Sequence, residues 1–107
     1  MDNEAIHDLF ESVRPVTIRR MFGGKGIYRD GVIVALEVGG EILLKADEQT
    51  APAFRGAGSR QWIYEKRSAN NRPVAMPYWS IPEEAIDDPY ELAKWVKLAC
   101  EAGMRAR

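Results

Sequence analysis

The chain is poor in the residues that build disulfides and metal sites: it has one cysteine, Cys100, and one histidine, His7, in 107 residues. A lone cysteine excludes an intrachain disulfide and suits a reducing, intracellular setting. One Cys and one His cannot supply a zinc site either, so no metal or cofactor is expected. Long apolar runs are missing as well, and nothing approaches the ~20 residues that cross a bilayer. The opening "MDNEAIHDLF" is acidic and lacks the basic-then-apolar order of a secretory signal. A cytoplasmic protein with no membrane contact is the expectation. An excess of charge of one sign is absent too. Lys and Arg number 15 against 16 Asp and Glu, a formal net charge of -1. Wholesale coating of nucleic acid, which needs a strongly basic domain, is thereby disfavoured.

What is present is a core. Hydrophobic residues make up 46% of the chain. That composition argues against global disorder, and the length fits a single domain over residues 1–107. Ile6, Leu9, Phe10 and Val13 recur at helical spacing near the start, with Asp2 or Asn3 to cap and Pro15 to stop the helix. Residues 16–46 read as three strands. Asp30-Gly31 and Gly39-Gly40 supply the two-residue turns of a meander, whose connections are too short for anything but antiparallel pairing. Val32, Val34, Leu36 and Val38 alternate and are expected on one face, with Ile42 and Leu44 as partners. A short helix follows around Pro52, closed by Gly56 and Gly58. "RQWIYEK" and "PVAMPYWSIP" read as two more strands, the second at an edge or bulged because of Pro77. Trp62 and Trp79 are expected in the core. A turn of helix after Pro82 leads to a longer helix from about Asp88, with Leu92, Trp95, Val96, Ala99 and Cys100 as its buried stripe. Gly103 should end it and "MRAR" should fray. The order α-β-β-β-α-β-β-α predicts a two-layer α+β fold, a mainly antiparallel five-stranded sheet with helices packed on one face.

"RRMFGGKGIYRDG", Arg19 to Gly31, raises the question of a phosphate cradle. A Walker loop needs a Ser or Thr after its lysine and then a helix, and Lys25 is followed by Gly26 and strand residues. A dinucleotide fingerprint fails where Arg29 stands in place of glycine. The glycines therefore read as a bulge or tight bend. No catalytic constellation emerges. His7 lies beside the apolar stripe of its helix, and Cys100 lies within one. Glu83, Glu84, Asp87 and Asp88 occupy helix starts, where acids suit caps and dipoles. A small enzyme with an acidic-residue cleft is kept as one alternative. Charge is distributed unevenly: Arg14, Arg19, Arg20, Lys25 and Arg29 fall within residues 14–29, with no acid between them. Residues 49–79 carry Arg55, Arg60, Lys66, Arg67 and Arg72 against Glu65. Should these segments adjoin, Arg19, Arg20, Lys25 and Arg29 would form a basic patch for a protein or nucleic-acid partner, with Tyr28 and Tyr78 available for stacking. A nucleic-acid-binding module is thus the other alternative.

Met21-Phe22-Gly23-Gly24, then Gly26-Ile27-Tyr28, then "ILLKAD" through Asp47, and later "MPYWSIPEEAIDDPYELAKWVKLA" with Tyr78, together resemble the N-terminal domain of the TfoX/Sxy family, bacterial proteins linked to natural competence. The resemblance spans nearly the whole chain. It implies a two-layer α+β fold and a regulatory, non-enzymatic role in transcription. Family members act as co-activators alongside a cyclic-AMP receptor protein at competence promoters. It brings no catalytic residue and no cofactor. A protein partner is expected, a transcription factor or RNA polymerase among the candidates, and a homodimer through an uncovered sheet face is a further expectation. Longer family members carry a second, helical domain, and this chain ends after the first, so a stand-alone module with its own partner is anticipated. Phe22 is expected to plug the core beside glycines that let the backbone turn.

Overall fold

The computed structural model describes residues 1–21, 23–65 and 72–107. Helix α1 (Asn3–Leu9) is capped by Asp2, whose carboxylate accepts the Ala5 amide at 2.8 Å. A 3-10 turn over Glu11–Val13 follows it. Strands β1 (Thr17–Met21), β2 (Gly24–Arg29), β3 (Val32–Val38) and β4 (Glu41–Lys45) come next, then α2 (Ala51–Gly56), β5 (Gln61–Glu65), β6 (Pro73–Ser80), α3 (Glu83–Ile86) and α4 (Pro89–Arg105). The six strands form one antiparallel sheet in the order β1-β2-β3-β4-β6-β5. The α+β class and antiparallel sheet stand as expected, with six strands in place of five. The stretch before Asp30 is two strands because Gly23, at φ +75°, reverses the chain between Met21 and Gly24. The expected role of Phe22 lies outside the described residues.

Asp30 (φ 52°) and Gly31 (φ 78°) make the turn that their pairing in sequence predicts. Gly24 answers a different need. It pairs with Val38 across β2 and β3, and a Cβ there would run into the Glu37 carbonyl oxygen. The glycine-rich stretch is thus set by close backbone approach within a sheet.

The helices pack on one face of the sheet. Ile6 and Phe10 of the N-terminal segment, Phe54 of α2 and Val96 and Ala99 of α4 meet Ile27, Val34, Ala35, Leu44 and Trp79 in one buried cluster. Phe54 is the hub, its ring 4.8 Å from Trp95 and 6.4 Å from Trp79. Asp88 caps α4 by accepting from the Tyr90 and Glu91 amides at 3.0 and 3.3 Å. Asp88 is thereby explained by capping, as the sequence suggests, while Glu83 and Glu84 stand in the first turn of α3, which has no side-chain cap.

Three local expectations need correcting, and the setting of Pro77 is decided between its two alternatives. The alternation through β3 is broken, because Tyr28 pairs with Ile33 while Ile27 pairs with Ala35, leaving Val34 as an extra residue. Val34 and Ala35 therefore both enter the helix-side core, while Ile33, Leu36 and Val38 belong to the opposite face. Ile42 and Leu44 pair with Glu37 and Ala35, so Leu36 has Leu43 as its partner. Pro77 takes the second of its two expected settings, a bulge, since β6 lies between β4 and β5 and is not an edge strand. It falls in an irregular stretch where pairing with β5 jumps from Ala75 to Trp79. Trp62 sits half-buried on the open face, outside the main core. Gly103 does not end α4, which runs on to Arg105. Arg105 is also anchored, donating from Nε to the Asp47 carboxylate at 2.6 Å and from Nη2 at 3.1 Å.

Candidate functional site

The face of the sheet away from the helices is apolar, and it is curved. The extra residue in β3 and the irregular β5–β6 pairing both increase bend and twist. As a result Met21 on the β1 edge and Tyr64 on the β5 edge line the same groove, of about 530 Å³. Its floor is Leu36 of β3 and Tyr78 of β6, packed with Leu43 and covered in part by Ile33, Val38, Trp62 and Met76. Its rim is open: Tyr64 is 42% and Val74 41% exposed. Trp62 and Tyr64 meet edge to face with ring centroids 5.8 Å apart, which stiffens that wall. An apolar concavity left in water by a small domain marks an interaction site more often than isolated surface leucines do.

Two tyrosines bring charge to this face. The Arg19 guanidinium lies 5.3 Å from the centre of the Tyr28 ring, and the Lys45 ammonium 5.3 Å from that of Tyr78. Neither cation pairs with a carboxylate among the described residues. Burial pushes the Tyr78 hydroxyl above its usual range, and the nearby Tyr28 adds to the shift. Tyr28 itself folds over Gly26, where a Cβ would meet its ring at 3.0 Å and the Met21 sulfur at 3.1 Å. Gly26 thus leaves the space that the Tyr28 ring and Met21 occupy on the open face.

The other cations of the expected patch are turned away from Arg19, although Lys25 and Glu37 also border the groove at its Met21 end. Arg20 and Lys25 reach the helix side, beside the start of α1. Lys25 Nζ donates to the Met1 carbonyl at 2.9 Å and to Asn3 Oδ1 at 2.8 Å. Its ammonium holds α1 to the sheet, and the nearby hollow of Arg20, Gly23, Gly24 and Lys25 also contains Glu37, whose carboxylate repels an anion. Arg29 lies near Cys100 at the far end of that side, bordering a small crevice with Met104. So the structure separates Arg19 from Arg20, Lys25 and Arg29. The second basic segment is also dispersed. Arg55 lies over the Trp79 ring at 5.4 Å, and Arg60 pairs with Glu41 at 2.7 Å. Strands β1 and β5 stand at opposite edges of the sheet, and Lys66 and Arg67 lie outside the described residues.

His7 is exposed on α1, and burial pushes the Cys100 thiol above its usual range, a direction that weakens it as a nucleophile. Glu83, Glu84, Asp87 and Asp88 are all exposed at the α3–α4 corner. Among the described residues no group of three or more His, Cys, Asp or Glu could hold a metal ion, and no helix is long and apolar enough to cross a membrane.

The sequence does not announce the groove, although four of its lining residues, Met21, Gly24, Lys25 and Tyr78, draw notice there for other reasons. A signal did exist. "VIVALEV" is too continuously apolar for a strand with one wet face, a sign that both faces are covered or engaged.

Fold and groove define a small α+β domain whose uncovered sheet face is an apolar concavity flanked by cation-stacked tyrosines. The family model for the TfoX N-terminal domain matches residues 8–103, nearly the whole chain, and the chain belongs to that family. It is accordingly a competence-regulator-like domain. No curated protein matches the sequence.

Proposed function

We propose that this is a non-enzymatic regulatory domain that works in the cytoplasm by holding a protein partner on the open face of its sheet. The observation that carries the reading is the apolar groove between Met21 and Tyr64, whose wall leaves Tyr64 and Val74 exposed and Trp62 and Met76 half-buried. Burying such a wall is worth roughly 25 cal/mol per Å² of apolar surface, which favours association. The family supports a regulatory role, and a component of the transcription machinery is the kind of partner that role calls for. The scattering of Arg19, Arg20, Lys25 and Arg29 over two faces makes direct nucleic-acid binding the weaker reading, because backbone binding needs cations in register with successive phosphates.

Site-specific photocrosslinking in living cells tests this. A photoreactive phenylalanine analogue at Tyr64 should trap a protein, and the adduct should vanish when Val74→Asp is added. The same analogue at Lys97, exposed on α4, serves as the control. Equal trapping at both positions, or none at Tyr64, would defeat the proposal.

A further inference from the structure

We infer that the occupant of the groove is an acidic amphipathic α-helix of a partner protein, an assignment that rests on the open face being the docking surface. The first reason is hydrogen bonding. The floor is built from β3, β4 and β6, all interior strands; β3 and β4 are paired on both sides there, and β6 is paired with β4 and leaves register with β5 only over the short stretch Met76–Tyr78. No free row of backbone N–H and C=O groups is offered there to an extended peptide. The occupant must satisfy its own backbone, and a helix does. The second is size. About 530 Å³ falls in the ~300–1,000 Å³ range of sites that swallow a few side chains, which suits anchors at i, i+3 or i+4, and i+7 along one helical stripe. The third is charge. Arg19 and Lys45 each stack on an open-face tyrosine and have no carboxylate partner among the described residues. Carboxylates flanking the apolar stripe of an incoming helix would complement both.

A second copy of this chain fits less well. A symmetric dimer through this face would set one concavity against another, and an isologous contact has to be self-complementary. A single nucleic-acid strand could use Arg19, Lys45 and the tyrosines, but Leu36, Val38 and Met76 offer nothing to a phosphodiester backbone.

Panning the intact domain against a displayed library of 16-residue helical peptides tests the inference without knowledge of the natural partner. Enriched peptides should share an apolar stripe at i, i+3 or i+4, and i+7 and should carry net negative charge. Measured by fluorescence anisotropy at physiological salt, the best of them should bind Arg19→Glu/Lys45→Glu at least tenfold more weakly, and a version with lysine replacing its flanking glutamates should recover affinity for that double variant. Val74→Asp should abolish binding, and circular dichroism should show both variants folded. Basic or uncharged winners, or indifference to the Arg19/Lys45 reversal, would overturn the inference. So would tighter binding of a 12-nucleotide oligo-dT than of any peptide, or a concentration-dependent dimer in sedimentation that Val74→Asp dissolves. If Tyr64 crosslinks a protein in cells while panning yields no acidic helix, the docking face stands and this assignment falls. If neither succeeds, both fall.

Discussion

Replacing Gly103 by alanine pits two effects of known sign against each other. In a helix interior alanine is favoured over glycine by about 1 kcal/mol. If Gly103 merely ended the helix, the exchange would be close to neutral. It lies inside α4, however, and is buried against β3. A Cβ built there stands 2.9 Å from the Ile33 carbonyl oxygen, 3.1 Å from a Val32 methyl and 3.2 Å from a Val34 methyl. Two of these neighbours are β-branched side chains with few rotamers, and the third is backbone fixed in a sheet. None can swing aside, so the helix itself must shift by a few tenths of an ångström. Overpacking of this kind costs about 1–3 kcal/mol, and with a contact this short the upper half of that range applies. Net destabilisation of about 1–2 kcal/mol follows, a fall in Tm of roughly 5–10 °C for a domain of this size. Gly56 is the control. It closes α2 with open space around it and no positive φ, so Gly56→Ala should stabilise by about 0.5 kcal/mol. Thermal melts and urea titrations of the two variants decide the matter. A Tm for Gly103→Ala at or above that of the wild type would refute the close approach of α4 to β3.

Phe54→Ala should cost about 3–5 kcal/mol in urea unfolding, because the ring is fully buried between Trp79 and Trp95; Tyr64→Ala on the open rim should cost less than about 1 kcal/mol. The Arg105 guanidinium holds the Asp47 carboxyl at about 2, below its ordinary 3.8. A depressed carboxyl stabilises the fold above its unfolded pKa and loses that effect as pH falls through the folded one. The wild type should therefore lose more stability between pH 5 and pH 2 than Asp47→Asn does; parallel urea midpoints for the two across that range would count against the ion pair. Cys100 should react slowly with a thiol reagent at pH 8 in the folded protein and at once in urea, since burial both shields the thiol and raises its pKa.

The elements that the sequence discloses are those whose signal is local. Helical spacing and a capping aspartate mark α1 and α4, and Asp30-Gly31 marks a hairpin because few other pairs tolerate its φ values. The features that stay hidden depend on distant neighbours. Gly103 looks like a helix stop because glycine usually is one, and only the packing of α4 on β3 shows that it is a contact residue. The division at Gly23 is only half legible, because three glycines in close succession allow either two strands flanking a turn or one bent strand. The basic cluster in residues 14–29 looks like a patch on paper. Strand alternation then places Arg19 on one face of the sheet and Arg20 and Lys25 on the other, and proximity in sequence becomes separation in space.

The groove itself has the same origin. A flat six-stranded sheet with helices on one side would expose Leu36, Val38, Met76 and Trp62 as a broad apolar plane, open to stacking on any similar plane. One surplus residue at Val34 and the mismatch between Gln61–Ile63 and Ala75–Trp79 bend that plane instead. Bending brings the edge strands toward each other, half-buries Trp62 and Met76, and restricts what can reach Leu36 to something narrow and convex. The irregularities that spoil the alternating pattern in β3 and β5 are therefore what make the open face concave. Arg19 and Lys45, held on tyrosines of that face, set positive charge beside the concavity.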